Sequence, residues 1–479
     1  MKFSAKGSPE LLILPFWEGA KEASDSSAHK ELCKAPLESG DFKGKQGEQL
    51  LLYEGKGKRL LLLGLGSSKK TTAETLRRAY ASAVKTAQGK GITSIGLLFP
   101  KVAGLSKEET ALAIAEGLLL TNYAFLELKR DSLKDSPFAL VKEAIWLGAP
   151  DLKALEEIQR IAECVCFTRD LINGNADDIT PRKLVEVAHA LGSKVHVEIL
   201  DKKKLEAEKM GLMLAVARAS PHDPALIVAS YKGAPHSKEH VILVGKGVTY
   251  DTGGLSLKPT DNMLTMKADM AGAATVLGVI KAAAELGKKV NLTVVAPIVE
   301  NAIGSKAYKP GDVYRSYSGK TVEVNNTDAE GRLILADALS YAVDRLKPTC
   351  IVDVATLTGS IVMALGEEIS GLFTADDKLA EELMAASAST GELLWRMPLY
   401  SEYLESLKSD YGDLQNTGGR EAGAIKAALF LKEFVGDAAW AHIDLAGPAF
   451  ITRAKHYNPT NATGYGVRLL LEFVEGRFA

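Results

Sequence analysis

The stretch Asn326-Thr-Asp-Ala-Glu-Gly-Arg-Leu333 crowds two carboxylates, a guanidinium and a breaker glycine into eight residues. Asp328 and Glu330 are spaced i, i+2, so on an extended or turning backbone both face one side and can share hard cations through oxygen. Beyond them Ile334, Ala338, Tyr341, Ala342 and Leu346 recur at helical spacing, which predicts an amphipathic helix from Gly331 to Leu346, ended by Pro348. Acids before a helix are ordinarily caps. Capping accounts for one acid and gives no reason for Asn326, Asp328, Glu330 and Arg332 to converge. Upstream, Val241–Val244 reads as a buried strand, which puts Lys246 just past its end and Asp251 in a glycine-rich loop. Asp269 precedes a helix beginning near Met270; alone it reads as a cap, and beside the other acids it is a ligand candidate. Asp251, Asp269, Asp328 and Glu330 together balance the charge of two divalent cations. Lys246 taken alone reads as a salt bridge to them.

The octapeptide, continuing as Ile-Leu-Ala-Asp337-Ala-Leu339, resembles the signature of the leucyl aminopeptidase family, hexameric two-metal peptidases also called cytosol aminopeptidases. Val244-Gly-Lys246-Gly-Val-Thr-Tyr-Asp251-Thr-Gly-Gly254, with Lys258 and Asp269 beyond it, resembles that family's other metal-binding region. The similarity continues through Asp353-Val-Ala-Thr-Leu-Thr-Gly359, Asn416-Thr-Gly-Gly-Arg420 and Trp440-Ala-His-Ile-Asp-Leu-Ala-Gly447, and is weak before about Thr168. The resemblance implies one metal, zinc or manganese, held by Lys246, Asp251, Asp269 and Glu330. A second falls to Asp251, Asp328 and Glu330, with a carbonyl from Asp328. Lys246 then coordinates as a neutral amine, which adjacent dications favour. Lys258 and Arg332 match the family's catalytic pair, Lys258 facing the developing oxyanion and Arg332 binding a bicarbonate. Asn326, Thr356, Leu357 and Gly359 fall to substrate binding. Met266 either lines an apolar side-chain pocket with Thr356 and Gly359 or simply fills core. The implied activity is removal of N-terminal leucine or other apolar residues from short peptides by a homo-hexamer.

Other chemistries lack their residues. The eight histidines include no His-Glu-x-x-His pair, no Gly-x-Ser-x-Gly elbow occurs, and Cys350 opens an apolar run without a catalytic setting. His442 reads as structural. Gly64-Leu-Gly66 and Gly245-Lys-Gly247 each evoke a dinucleotide loop, but the third glycine position holds Lys69 or Tyr250. Four scattered cysteines give no zinc knuckle or redox pair.

The elements that must position these residues read as α/β. Apolar runs at Leu11–Leu14, Gln49–Tyr53, Arg59–Leu65 and Ile92–Phe99 alternate with helical stretches at Thr72–Lys90 and Lys107–Leu119. Later strands are predicted at Val195–Leu200, Ala225–Ser230, His240–Gly245, Leu292–Ile298, Cys350–Ala355 and Ala439–Leu445, interleaved with helices. We expect a smaller N-terminal α/β domain over residues 1–150, a helical connector over 151–172 and a catalytic domain over 173–479. The catalytic sheet should be mixed, largely parallel and covered by helices on both faces. A net charge of -2 with 25% charged residues argues against dependence on nucleic acid or acidic membranes. No secretory signal and no window of transmembrane length is apparent, which points to the cytoplasm. Two other readings stay open: a Cys-Gly dipeptidase using the same cluster, and an added DNA-binding role for residues 1–150.

Overall fold

The computed structural model describes residues 1–20, 29–55, 57–129, 137–147 and 154–478. Residues 151–153, where the connector helix was expected to begin, lie outside them. Two compact units form, Met1–Cys166 with Arg453–Thr460, and Phe167–Thr452 with Asn461–Ala479. Their division falls within the helix Ala154–Asn173, whereas the sequence reading set that helix apart as a connector.

The first unit holds strands β1 (Lys2–Ser4), β2 (Leu11–Trp17), β3 (Gln49–Glu54), β4 (Lys58–Gly66), β5 (Ser94–Leu98) and β6 (Glu143–Leu147), in the spatial order β1-β6-β5-β2-β4-β3. All neighbours run parallel except the β3–β4 hairpin. Leu60 to Leu63 are all buried, as expected of an inner strand covered on both faces. The Ala73–Gly89 and Lys107–Thr121 helices start at capping boxes, Thr72 with Thr75 and Ser106 with Glu109. Gly64 and Gly66 have a structural explanation: a Cβ on Gly64 would strike the Lys45 carbonyl, and Gly66 has φ +74°.

The second unit adds β7 (His196–Leu200), β8 (Ala225–Lys232), β9 (Val241–Gly245), β10 (Gly247–Asp251), β11 (Asn291–Asn301), β12 (Val313–Arg315), β13 (Thr321–Glu323), β14 (Cys350–Ala355), β15 (Ile369–Phe373), β16 (Leu393–Arg396), β17 (Leu414–Gln415) and β18 (Trp440–Asp444). The main sheet runs β16-β15-β18-β14-β9-β11-β8-β7, with β10 also pairing β11. Strands β18, β14, β9, β11 and β10 are mutually parallel, while β8 and β15 join antiparallel. The expected mixed, largely parallel sheet is therefore present. Its one clear departure is β10. The glycine-rich loop expected after Lys246 is a strand, because Val248 and Thr249 are buried there and Gly247 lets the backbone pass the Pro297 carbonyl.

Helix Gly331–Tyr341 is buried along its whole length and continues as a wider π turn through Ala342–Leu346, matching the predicted span. It packs with the Gly423–Lys432 helix on one face of the sheet, and Ala271–Leu286 packs on β9, β11 and β14. Contrary to the sequence reading, one helical stretch among the described residues, Thr260–Leu286, is long and apolar enough to cross a membrane. Of its most apolar part 72% is buried within the protein, as in a core helix.

Asp337 locks the Gly331–Tyr341 helix to its surroundings. Its carboxylate is fully buried and accepts from the backbone N–H groups of Leu212 (3.0 Å), Met213 (2.9 Å) and Tyr317 (2.7 Å). Asp337→Ala would strand two buried donors and a half-buried one and should cost about 3 kcal/mol or more, whereas Asp337→Asn keeps one acceptor oxygen and should cost less. Denaturant midpoints of the three proteins check this ordering.

Candidate metal centre

The acids collect at the carboxyl ends of the parallel strands, where loops take over from the sheet. Lys246 follows β9, Asp251 ends β10, Asn301 ends β11, Thr356 follows β14 and Asp444 ends β18. Close approach of backbone makes this possible. A Cβ on Gly272 would collide with the Val354 carbonyl, and Ala273 N donates to Lys246 O at 2.8 Å. Gly331 is the first residue of the helix, as the sequence pattern predicts. Its missing side chain leaves room for Lys246, whose Nζ would stand 2.6 Å from a Cβ at Gly331.

Asp251, Asp269 and Glu330 are 2%, 4% and 1% exposed, and Lys246 3%. Lys246 Nζ lies 2.8 Å from Asp269 Oδ1 and 3.0 Å from Glu330 Oε1, and donates to the Thr356 carbonyl at 2.8 Å. Lys258 Nζ pairs with Asp251 Oδ2 at 2.8 Å and with Asp328. Ligand oxygens of Asp251, Asp328 and Glu330 fall within 4.8 Å of one another. Two ammonium groups thus face four carboxylates.

That imbalance shows in the titration of the acids. Burial, then the neighbouring Glu330, pushes Asp251 up to about 7, and Asp269 stands well above the usual carboxylate range for the same reasons. Burial also raises Asp328, although Lys258 opposes it. Glu330 is as deeply buried, but Lys246 and Lys258 hold its carboxyl below its ordinary value. Burial disfavours both ammonium groups, yet the surrounding acids outweigh it and keep them protonated. Among the described residues Asp269 Oδ2 and Glu330 Oε2 are buried without a hydrogen-bond donor. Unsatisfied buried carboxylate oxygens are costly, and this oxygen-rich set with one amine fits divalent metal.

Residues to which the sequence reading gave no role hold the clustered acids in place. Asn301 Nδ2 donates to Asp251 Oδ1 (2.7 Å) and to the Thr327 carbonyl (3.1 Å), which also accepts from the Tyr308 hydroxyl at 2.7 Å. Thr327 and Ser256 bond each other reciprocally, tying the Asp251 and Asp328 loops together. Asn416 accepts from Asn325 N and donates to the Asn326 and Ala329 carbonyls, and its own carbonyl takes Arg332 Nη1 at 2.7 Å. Asn301 closes a nearly continuous buried run along β11 that carries no alternation to single it out. Thr327 and Tyr308 carried no signal either.

Of the residues expected for substrate, Asn326 accepts from Asp328 N at 2.8 Å, and Thr356 Oγ1 donates to Asp269 Oδ1 at 2.8 Å. Met266 is half-buried in the turn before Asp269, and its carbonyl accepts from Asp269 N. Leu357 is half-buried, and Gly359 is exposed at the start of the Gly359–Leu365 helix. Arg332 is buried, which lowers its pKa to about 10 against the pull of Glu330 and Asp444. A cavity of about 630 Å³ lined by Lys202, Arg218, His222, Lys306 and Tyr314 contains none of these acids.

Residues 166–471 match the model of the cytosol aminopeptidase family, catalytic domain, and residues 13–132 that of its N-terminal domain. A "Probable cytosol aminopeptidase" of Protochlamydia amoebophila (strain UWE25) is 48% identical over 478 residues, covering 97% of this chain and 96% of that one. The corresponding chain of Chlamydia felis (strain Fe/C-56) is 44% identical over 482 residues, with the same coverage. Among solved structures, a mutant of tomato leucine aminopeptidase aligns with a TM-score of 0.88 at 35% identity, covering 99% of this chain and 96% of that chain. The bottromycin maturation enzyme BotP in complex with Mn aligns with a TM-score of 0.88 at 32% identity, covering 98% and 100%.

Cations entering this cluster must displace protons held by Lys246, Asp251 and Asp269, so uptake should release protons and weaken as pH falls from 8 to 6. Calorimetry in buffers of differing ionisation enthalpy measures the release. Elemental analysis should find two ions per chain, and fewer after Asp251→Asn with Glu330→Gln. Affinity independent of pH, or unchanged stoichiometry in the double variant, would contradict the assignment.

Proposed function

The chain belongs to the cytosol aminopeptidase family, and from that premise we propose that it removes leucine and other apolar residues from the free N-termini of short peptides. The observation that carries this reading is the four-carboxylate cluster at the strand ends with Lys258 and Arg332 beside it. Lys246, Asp251, Asp269 and Glu330 would hold one cation, and Asp251, Asp328 and Glu330 a second, with a carbonyl from Asp328. Zinc and manganese both suit these donors, and BotP was solved with Mn. When bound, the two cations would lower the pKa of a shared water and polarise the scissile carbonyl.

The chain's own residues do the rest. Asp269 faces the substrate's α-amine and accepts a hydrogen bond from it. Once cations balance Asp251 and Asp328, the Lys258 ammonium is released to donate to the carbonyl oxygen as negative charge develops there. Arg332, buried and fixed through the Asn416 carbonyl, offers its guanidinium to a planar anion such as bicarbonate. The loop Thr356–Gly359 and Asn326 would align the peptide backbone, and Met266 with Thr356 and Gly359 would receive the side chain. By extension from the family the working form is a homo-hexamer in the cytoplasm.

The free amine distinguishes an aminopeptidase from a general metallo-amidase. Leucyl dipeptides and leucyl anilides should be cleaved, while their N-acetyl counterparts should be inert. Lys258→Met should lower kcat roughly 10²–10³-fold with the metal content unchanged. Equal kcat/KM for free and acetylated substrates would overturn the exopeptidase reading, and metal loss in Lys258→Met would remove that residue's role.

A further inference from the structure

The proposed chemistry leaves a second buried polar line unused. It runs along neighbouring strands toward the same end of the sheet. In the β14–β18 register Asp353 lies opposite His442 and Ala355 opposite Asp444. Asp353 takes Trp440 Nε1 at 2.7 Å and His442 Nδ1 at 2.6 Å. The His442 ring stacks on Phe373. Asp353, His442 and Asp444 are all 0% exposed. Such groups are expensive to bury, and an apolar core would have served packing as well.

Asp444 is where this line meets the substrate loop. Its Oδ2 accepts from Thr358 Oγ1 at 2.7 Å, and its Oδ1 from Leu357 N at 3.1 Å and Ala446 N at 3.3 Å. Thr358 Oγ1 in turn accepts from Ile361 N at 3.1 Å and so caps the Gly359–Leu365 helix. Two residues earlier, Thr356 offers its carbonyl to Lys246 and its hydroxyl to Asp269. One buried carboxylate therefore fixes both the backbone and the cap of the segment that runs past the acid cluster.

We propose that Asp444 is a positioning residue for the peptidase reaction: through Thr358 and Leu357 N it sets the Thr356–Gly359 loop against the metal-binding acids and the substrate. This inference rests on the aminopeptidase reading. Asp444 touches neither metal nor substrate and acts through the loop. His442 stands two positions before Asp444 on the same face of β18; burial opposes its protonation, but Asp353 outweighs that and raises its pKa, while burial raises the Asp444 carboxyl against the pull of His442, the Thr358 hydroxyl and the Leu357 and Ala446 N–H groups. With Oδ1 and Oδ2 both accepting from the segment Leu357–Thr358, this fixed side chain gives the loop a directional anchor.

The test uses full-length, metal-loaded protein and leucyl dipeptides. In Asp444→Asn and in Thr358→Val, kcat/KM should fall roughly tenfold or more, with KM raised severalfold and two metals retained. Thr358→Ser, which keeps the hydroxyl, should restore wild-type values. The double variant should lose less than the sum of the two single losses, because Thr358→Val removes and Asp444→Asn weakens the same Thr358–Asp444 bond. A merely destabilised fold would reduce the active fraction, lowering kcat and leaving KM unchanged. Unchanged KM in both single variants, full additivity, or failure of Thr358→Ser to restore activity would each overturn the proposal. Inactive wild-type protein would count against the aminopeptidase reading, whereas active wild type with indifferent variants would count against the inference alone.

Discussion

Everything in the second unit is arranged around a charge imbalance that water cannot relieve. Four carboxylates converge at the strand ends, three of them almost wholly buried, and two lysines supply only half the charge needed to balance them. At such short range and low effective dielectric, like charges cannot all persist. Without cations, protons make up the difference, which is why Asp251 and Asp269 are pushed upward while Glu330, paired with Lys246 and within the field of Lys258, is not. Divalent cations would resolve the same imbalance without protonating the acids.

The sheet makes so unfavourable a cluster affordable by fixing its members on rigid elements. Five parallel strands end at one edge: β9 and β10 deliver Lys246 and Asp251 of the cluster, β11 the Asn301 that bonds Asp251, and β14 and β18 the Thr356–Gly359 loop and the Asp444 that holds it. Small residues let these ends approach: Gly272 against the Val354 carbonyl, and Gly331 against the stem of Lys246. Around them the side-chain amides of Asn301 and Asn416 and the hydroxyls of Thr327 and Ser256 bond the loops to each other. The chemistry can then depend on small differences in distance, because little in the surroundings is free to yield.

Much of this was legible in the sequence because burial writes itself as pattern. Continuous apolar runs marked β4, β9 and β14, and the period of Ile334, Ala338, Tyr341 and Leu346 marked the helix behind the acids. Short or half-exposed elements such as β1, β12, β13 and β17 left too weak a pattern to be recognised. β10 was read as a loop because its glycines outweighed Val248 and Thr249, whose burial depends on pairing with the distant β11. For the site, acid spacing suggested metal, but Lys246 alone read as a salt bridge, and only the resemblance reversed that. Asn301, Thr327 and Asp444 matter through partners dozens of residues away, which one-dimensional spacing cannot reveal.

The central claim is that these four acids and Lys246 hold two divalent cations. Anomalous diffraction from manganese-loaded crystals, recorded above and below the manganese edge, tests it most directly. Two peaks should appear, one among Lys246, Asp251, Asp269 and Glu330 and the other among Asp251, Asp328 and Glu330. A single peak, or manganese bound away from these side chains while Lys246 still bridges Asp269 and Glu330, would contradict it.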